Sequence, residues 1–178
     1  GWRTRGYLRI LRQVPERFQL SGVLFRNAQK AAAFGRDNPG LAYTDLEQFL
    51  GQPHDMVMIL QPREVLLPYM EAVLKAGFPL LVETPPGNGL EGLCQVWQLQ
   101  QTYRAKIQVA EQYFLQPYHQ AVYALVKQGT LGEISNLRIS MAHDYHGISL
   151  MRRLLSAGDQ PCTIIAQQFA FPVLYHCG

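Results

Sequence analysis

Charge is scarce in this chain. Asp, Glu, Lys and Arg make up 16% of its 178 residues, and the formal net charge is only +3. The basic residues are twelve Arg and four Lys with no dense run, which argues against a nucleic-acid surface. Cysteine is scarcer still. Cys94, Cys162 and Cys177 are odd in number and lack metal-ligand spacing, so neither a disulfide framework nor a metal site is expected and a reducing cytoplasm is. No apolar run approaches the roughly 18–20 residues that span a bilayer, and no signal peptide is visible. There is no low-complexity stretch and no repeat of fixed period. Gly1 is not a natural start and Val173–Gly178 stops without a terminating pattern, so both ends are expected to be incomplete.

What is abundant is apolar character, at 48% of residues, enough for a real core. Met56–Leu60 and Pro79–Glu83 are short apolar runs joined by a helix-like stretch, Val65–Ala76. Each run ends in polar and proline residues, Gln61–Pro62 in the first case and Glu83–Thr84–Pro85–Pro86 in the second. Two buried strands joined by a helix read as part of a parallel α/β sheet. Ligands of such sheets bind outside the carboxyl ends of the strands, which directs attention to Gln61, Pro62, Glu83, Thr84 and Pro85.

The alternation extends along the chain. A turn over Gly1–Gly6 is expected to lead into a helix at Tyr7–Val14, then a strand at Gln19–Phe25. Ala28–Phe34 reads as a helix capped by Asn27. Leu41–Tyr43 reads as a brief strand, and Thr44–Asp45–Leu46–Glu47 has capping-box spacing before a helix to Leu50. Gly77 can end the Val65–Ala76 helix in a left-handed conformation. Helix Leu90–Tyr103 and strand Ile107–Ala110 follow, with right-handed crossovers making the strands parallel. Residues 1–112 therefore read as a Rossmann-type, doubly wound domain that lacks its first strand. Beyond a boundary near Gln112–Pro117, residues 113–178 read as part of a second, α/β domain: helix Pro117–Gln128, an alternating strand Ile134–Ala142, helix Gly147–Leu155 and a further strand Thr163–Phe171.

Gly1–Trp2–Arg3–Thr4–Arg5–Gly6 has the glycines of half a phosphate loop, where backbone can approach a pyrophosphate that rests on the next helix's N-terminus. A plain surface turn is the competing reading. Phe25–Arg26–Asn27 closes the second strand without the acid that commonly holds an NAD ribose. The Arg26 fork suits the additional phosphate of NADP, unless it is an ordinary exposed arginine. The missing acid also counts against a methyltransferase.

The run Asp55–Pro62, the helix to Ala76–Gly77, and Leu81–Val82–Glu83–Thr84–Pro85 together resemble the Gfo/Idh/MocA oxidoreductases, whose usual wording at the last position is Glu-Lys-Pro. Gln112–Pro117 and Gly129–Ile134 are similar to that family's passage into its substrate domain, and the resemblance spans roughly Gly1 to Leu155. It implies a Rossmann domain followed by a truncated α/β domain with an open sheet. It also implies hydride exchange between NADP or NAD and a sugar-like or polyol substrate, and a homo-oligomer (a dimer or a tetramer) built on that sheet. Gly1, Trp2, Arg3, Arg26, Gln61, Pro62, Glu83 and Pro85 would bind the cofactor, and Gln112, Tyr113 and Tyr145 the substrate.

The departures bear on the chemistry. Thr84 stands at the family's lysine, and a threonine hydroxyl is too weak an acid to shuttle protons near neutrality. No lysine lies between Lys75 and Lys106, and Leu66 stands where a histidine is usual. His143–Asp144–Tyr145–His146 is the remaining acid–base cluster. His146 precedes a helix as the family's substrate-site histidine does and could take the hydroxyl proton, although Ser149 replaces the Asp that often follows. Structural roles for both His143 and His146 compete with this, and zinc is disfavoured for want of a spaced third ligand. A dinucleotide-binding sensor or regulatory protein without turnover is the alternative to an enzyme, and Thr84 is the residue that favours it.

Overall fold

The computed structural model describes residues 2–141 and 144–172. The chain divides into two compact units, Gly1–Gln112 and Tyr113–Gly178.

The first unit is an alternating α/β fold. Its elements are α1 (Trp2–Gln13), β1 (Val23–Leu24), α2 (Ala28–Asp37), β2 (Ala42–Tyr43), α3 (Leu46–Leu50), β3 (Val57–Ile59), α4 (Leu66–Lys75), β4 (Leu80–Val82), α5 (Gly89–Tyr103) and β5 (Ile107–Val109). All strand pairs are parallel, as expected of strands linked by helical crossovers. They form two sheets, β1–β2 and β3–β4–β5, in register Val57↔Leu80 and Leu80↔Ile107. This is the Rossmann-type architecture. The free edges of β1 and β3 carry no ladder among the described residues.

Short local signals set the boundaries. The Asn27 side chain accepts the Lys30 N–H at 2.9 Å and starts α2. Asp45, not Thr44, caps α3, accepting the Gln48 N–H at 2.7 Å. An ionised carboxylate is the stronger acceptor at a helix N-terminus. Gly77 takes a φ of +86° directly after α4 and stops it. The core lies between the three-stranded sheet and α4, where Met70 and Val82 are fully buried among Val57, Ile59, Leu66, Val73, Leu74 and Leu80. Val57, Ile59, Leu80 and Val82 bury alternate positions of β3 and β4 and so share one face.

Two expectations fail here. Trp2–Gly6 is not a loop; α1 begins at Trp2 and runs through Gly6. Arg3, Thr4, Tyr7, Leu8, Leu11 and Val14 recur at helical spacing on the less exposed side, and that amphipathic row outweighs the cost of Gly6 in a helix. The strand expected at Gln19–Phe25 is also reduced to Val23–Leu24, the part that finds a partner in Ala42–Tyr43.

The second unit contains a 3-10 turn (Tyr113–Leu115), α6 (Pro117–Lys127) and α7 (Asp144–Leu154). Pro117 opens α6, where its missing N–H costs nothing, and Gly129 follows its end with a φ of +71°. The strands expected at Ile134–Ala142 and Thr163–Phe171 do not form: residues 134–141 and 163–171 pair with no strand among the described residues, and Ala142 lies outside them. Alternation alone cannot hold a strand whose backbone groups find no ladder. The open sheet expected of this unit is accordingly not formed by these residues.

Candidate functional site

Parallel sheets gather the ends of their strands at one edge. In the first unit those ends are Phe25–Arg26 after β1, Leu60–Gln61–Pro62 after β3, Glu83–Thr84–Pro85 after β4 and Ala110–Glu111 after β5. Arg26 is exposed immediately past β1. Gln61 is half-buried and Pro62 exposed, leading into a 3-10 turn at Arg63–Val65. Thr84 and Pro85 are half-buried and joined by a cis peptide bond.

Glu83 is a largely enclosed charged group of this edge, with a side chain 14% exposed. Arg3, in the first turn of α1, brings its Nε to 3.1 Å from Glu83 Oε1. That oxygen is buried without an aligned hydrogen bond, so the contact is one of charge rather than of donor geometry. Tyr7, one helical turn further along α1, turns its phenol towards the same carboxylate and feels its charge. Burial first, and the Glu83 charge second, raise the Tyr7 phenol above the ordinary value of 10.0, while Arg3 opposes them. Tyr7 is a site residue that the sequence pattern alone does not single out. Its spacing from Arg3 on one helix face was the available signal, but nothing local connects either residue to Glu83.

The first turn of α1 holds no acid and does hold Arg3, which suits an anion at a helix N-terminus. Trp2 lies under the Arg3 guanidinium, 4.5 Å from ring centroid to Cζ. Gly1 lies outside the described residues. These groups fit a nucleotide with phosphates: a helix start that carries a cation, and an exposed arginine just past β1.

The acid–base cluster belongs to the second unit. His146 is 3% exposed and sits inside the first turn of α7, not ahead of the helix as expected. Its ring stacks on Tyr113, with centroids 3.9 Å apart, and meets Tyr145 edge-on at 4.5 Å. Tyr113, Tyr145 and His146 are thus brought together, whereas His143 lies outside the described residues. Gln112 is half-buried at the end of the first unit. No group of three His, Cys, Asp or Glu residues among the described ones could hold a metal ion.

No protein-family profile matches the chain. An inositol 2-dehydrogenase of Corynebacterium glutamicum is 30% identical over 122 residues, 67% of this chain. The chain resembles the Gfo/Idh/MocA oxidoreductases in sequence and in fold. A scyllo-inositol dehydrogenase of Lactobacillus casei, solved with NAD(H) and scyllo-inositol, superposes with a TM-score of 0.63 over 78% of this chain and 48% of its own, at 18% identity. The WlbA dehydrogenase of Chromobacterium violaceum, solved with NADH and UDP-GlcNAcA, gives 0.67 over 75% and 39%, at 17% identity. The chain spans 36% of the length of the Corynebacterium relative.

Proposed function

We propose that this chain forms the nucleotide-binding unit and the beginning of the substrate unit of an NAD(P)-dependent oxidoreductase acting on the CH–OH group of a sugar-like or polyol substrate. The observation that carries this is the strand-end edge, where Arg3, Arg26 and the Glu83–Thr84–Pro85 turn occupy the binding side of a parallel α/β sheet related to inositol 2-dehydrogenase. In the doubly wound order 3-2-1-4-5-6, the observed strands correspond to positions 2 and 3 and positions 4 to 6, and a strand between β1 and β3 would join the two sheets. Residues 1–112 are accordingly assigned to cofactor binding, and 113–178 to the substrate unit.

In this scheme α1's first turn and Arg3 receive the cofactor phosphates, and Arg26 takes a 2′-phosphate when NADP is bound. Gln61, Pro62, Glu83 and Pro85 line the cofactor, and the Thr84 hydroxyl hydrogen-bonds the substrate hydroxyl or the carboxamide. A bound nicotinamide supplies the hydride exchange. His146 takes the hydroxyl proton, with His143 as the second candidate, while Gln112, Tyr113 and Tyr145 address the substrate. No helix is long and apolar enough to cross a membrane among the described residues, and Cys94 and Cys162 are free and exposed, in keeping with a reducing cytoplasm.

The test is absorbance at 340 nm with the full-length protein, both cofactors, and a panel of inositols, sugars and their keto forms. Turnover with any member supports the enzyme. Cofactor binding without turnover on the whole panel would favour the sensor, for which Thr84 in place of lysine is the specific observation.

A further inference from the structure

We propose that Ser21 and His54 form a nucleophile–base pair that accepts an acyl group from a small activated ester. Ser21 lies just ahead of β1 and His54 just ahead of β3, 33 positions apart in the chain. The Ser21 hydroxyl oxygen stands 2.7 Å from His54 Nδ1. On the other side of the ring, Nε2 stands 2.7 Å from the Phe49 carbonyl oxygen. A carbonyl carries no proton, so Nε2 is the protonated nitrogen of the neutral imidazole. Nδ1 then keeps its lone pair, and the Ser21 hydroxyl donates to it. The ring is held in this orientation by aromatic neighbours, Phe49 at 4.6 Å between centroids and Phe78 edge-on at 5.2 Å. Gly22 brings the serine segment close to the same group. A Cβ at residue 22 would lie 2.8 Å from a Tyr43 ring carbon and 3.3 Å from one of Phe49, so a side chain there would push the segment away.

A serine hydroxyl bonded to a histidine that a third group orients is the arrangement that turns serine into a nucleophile. Here the third group is the Phe49 carbonyl, whose hydrogen bond strengthens when the ring becomes an imidazolium. Ser21 Oγ attacks the acyl carbon and its proton passes to His54 Nδ1. The bond from that carbon to the leaving oxygen breaks, and the leaving group takes the proton from His54. The acyl group is then an ester of Ser21. Water cleaves that ester with His54 again as base, which releases the acid and restores the serine. Ser21 is exposed and His54 half-buried, so an acyl carbon can reach the hydroxyl. The oxyanion formed there faces water rather than a dry, preorganised site, which is commonly the largest catalytic contribution. The substrate class is therefore an ester with a good leaving group, such as an aryl ester, and not an amide. Both residues precede their strands, whereas Arg26 and Gln61 follow them, so this chemistry uses the opposite ends of β1 and β3 from the cofactor groups.

The test treats the full-length protein, without cofactor, with a fluorophosphonate and separately with p-nitrophenyl acetate. Peptide mass spectrometry should place a single phosphonyl group on Ser21, and the ester should give a burst of p-nitrophenolate followed by slow turnover. Ser21→Ala should remove the adduct and the burst. His54→Gln should slow acylation by about 10²–10⁴, the usual share of general base catalysis. Circular dichroism and thermal melts check the folding of both variants, since His54 packs against Phe49 and Phe78. Mapping of the adduct in the unaltered protein needs no variant at all. Absence of an adduct, or labelling confined to cysteines, lysines and tyrosines, overturns the inference. So does a Ser21 adduct that forms equally fast in folded His54→Gln. These readouts use no nicotinamide, so their failure leaves the oxidoreductase reading untouched, and failure of that reading leaves them standing.

Discussion

Arg3 on the first helix and Glu83 at the end of the central strand of the three-stranded sheet stand 3.1 Å apart, Nε to Oε1. The contact fastens the start of α1 to the turn that carries Thr84 and Pro85. Tyr7 joins it from the next turn of the helix. The carboxylate thus meets a cation and, more distantly, a phenol, and both come from the same helix face.

The raised Tyr7 value makes stability depend on alkaline pH. The native phenol keeps its proton above 10.0, where the unfolded chain has already lost its own. The contribution is therefore complete below 10.0 and is lost as pH rises through the native value. Urea denaturation on either side of pH 10.0 should show a falling midpoint that Tyr7→Phe flattens. An identical alkaline slope in both proteins would remove Tyr7 as the cause.

Arg26 should discriminate between cofactors. Calorimetric titration is expected to show NADP(H) binding at least as well as NAD(H), and Arg26→Ala should weaken NADP selectively. The expected loss is about 1.5–3 kcal/mol, the worth of a hydrogen bond to a charged group. Equal weakening for the two cofactors would make Arg26 a bystander.

His146→Ala should lower turnover by about 10²–10⁴, the usual share of general acid–base catalysis, with cofactor affinity unchanged. Because His146 is buried against Tyr113, the variant must be compared with His146→Gln in thermal melts. A rate loss in both variants, with a melting loss only in the alanine one, separates proton transfer from packing. Wild-type turnover in either variant would end the assignment.

Gly87 is predicted to tolerate no side chain. A Cβ there would lie 2.6 Å from the Gly92 carbonyl carbon and 2.8 Å from the Leu93 nitrogen, both backbone atoms of α5. Gly87→Ala must displace the first turn of that helix, at a cost of about 1–3 kcal/mol. Chemical denaturation would read it directly, and Gly77 offers no control because its φ is positive.

The alternation of the first unit was legible because each element carries its own local signal: Asn27 ahead of α2, Gly77 behind α4, and continuous apolar runs at β3 and β4. What escaped were relations between distant positions. Nothing near Arg3 or Tyr7 announces Glu83, and Trp2–Gly6 reads as a loop until the half-buried row of Tyr7, Leu8 and Leu11 on one side is seen. The alternation of Ile134–Met141 was visible too, yet a strand is a property of a pair, and no partner forms among the described residues. The candidate site was legible as strand ends, whereas the burial of His146 inside α7 was not, because periodicity does not say which face a helix turns inward.

The separation of β1–β2 from β3–β4–β5 has a consequence for cooperativity. Among the described residues no backbone ladder links the two sheets; side chains, Leu24 and Tyr43 among them, rest on the core cluster that holds Val57 and Ile59. Opening of the smaller sheet then need not wait for the larger one. In native-state hydrogen exchange the Val23 and Phe25 amides, bonded to Leu41 and Tyr43, should lose protection through a subglobal event. The Val57 and Leu80 amides should exchange only when the whole unit unfolds. That outcome would mean that the strand end carrying Arg26 loosens ahead of the strand end carrying Glu83.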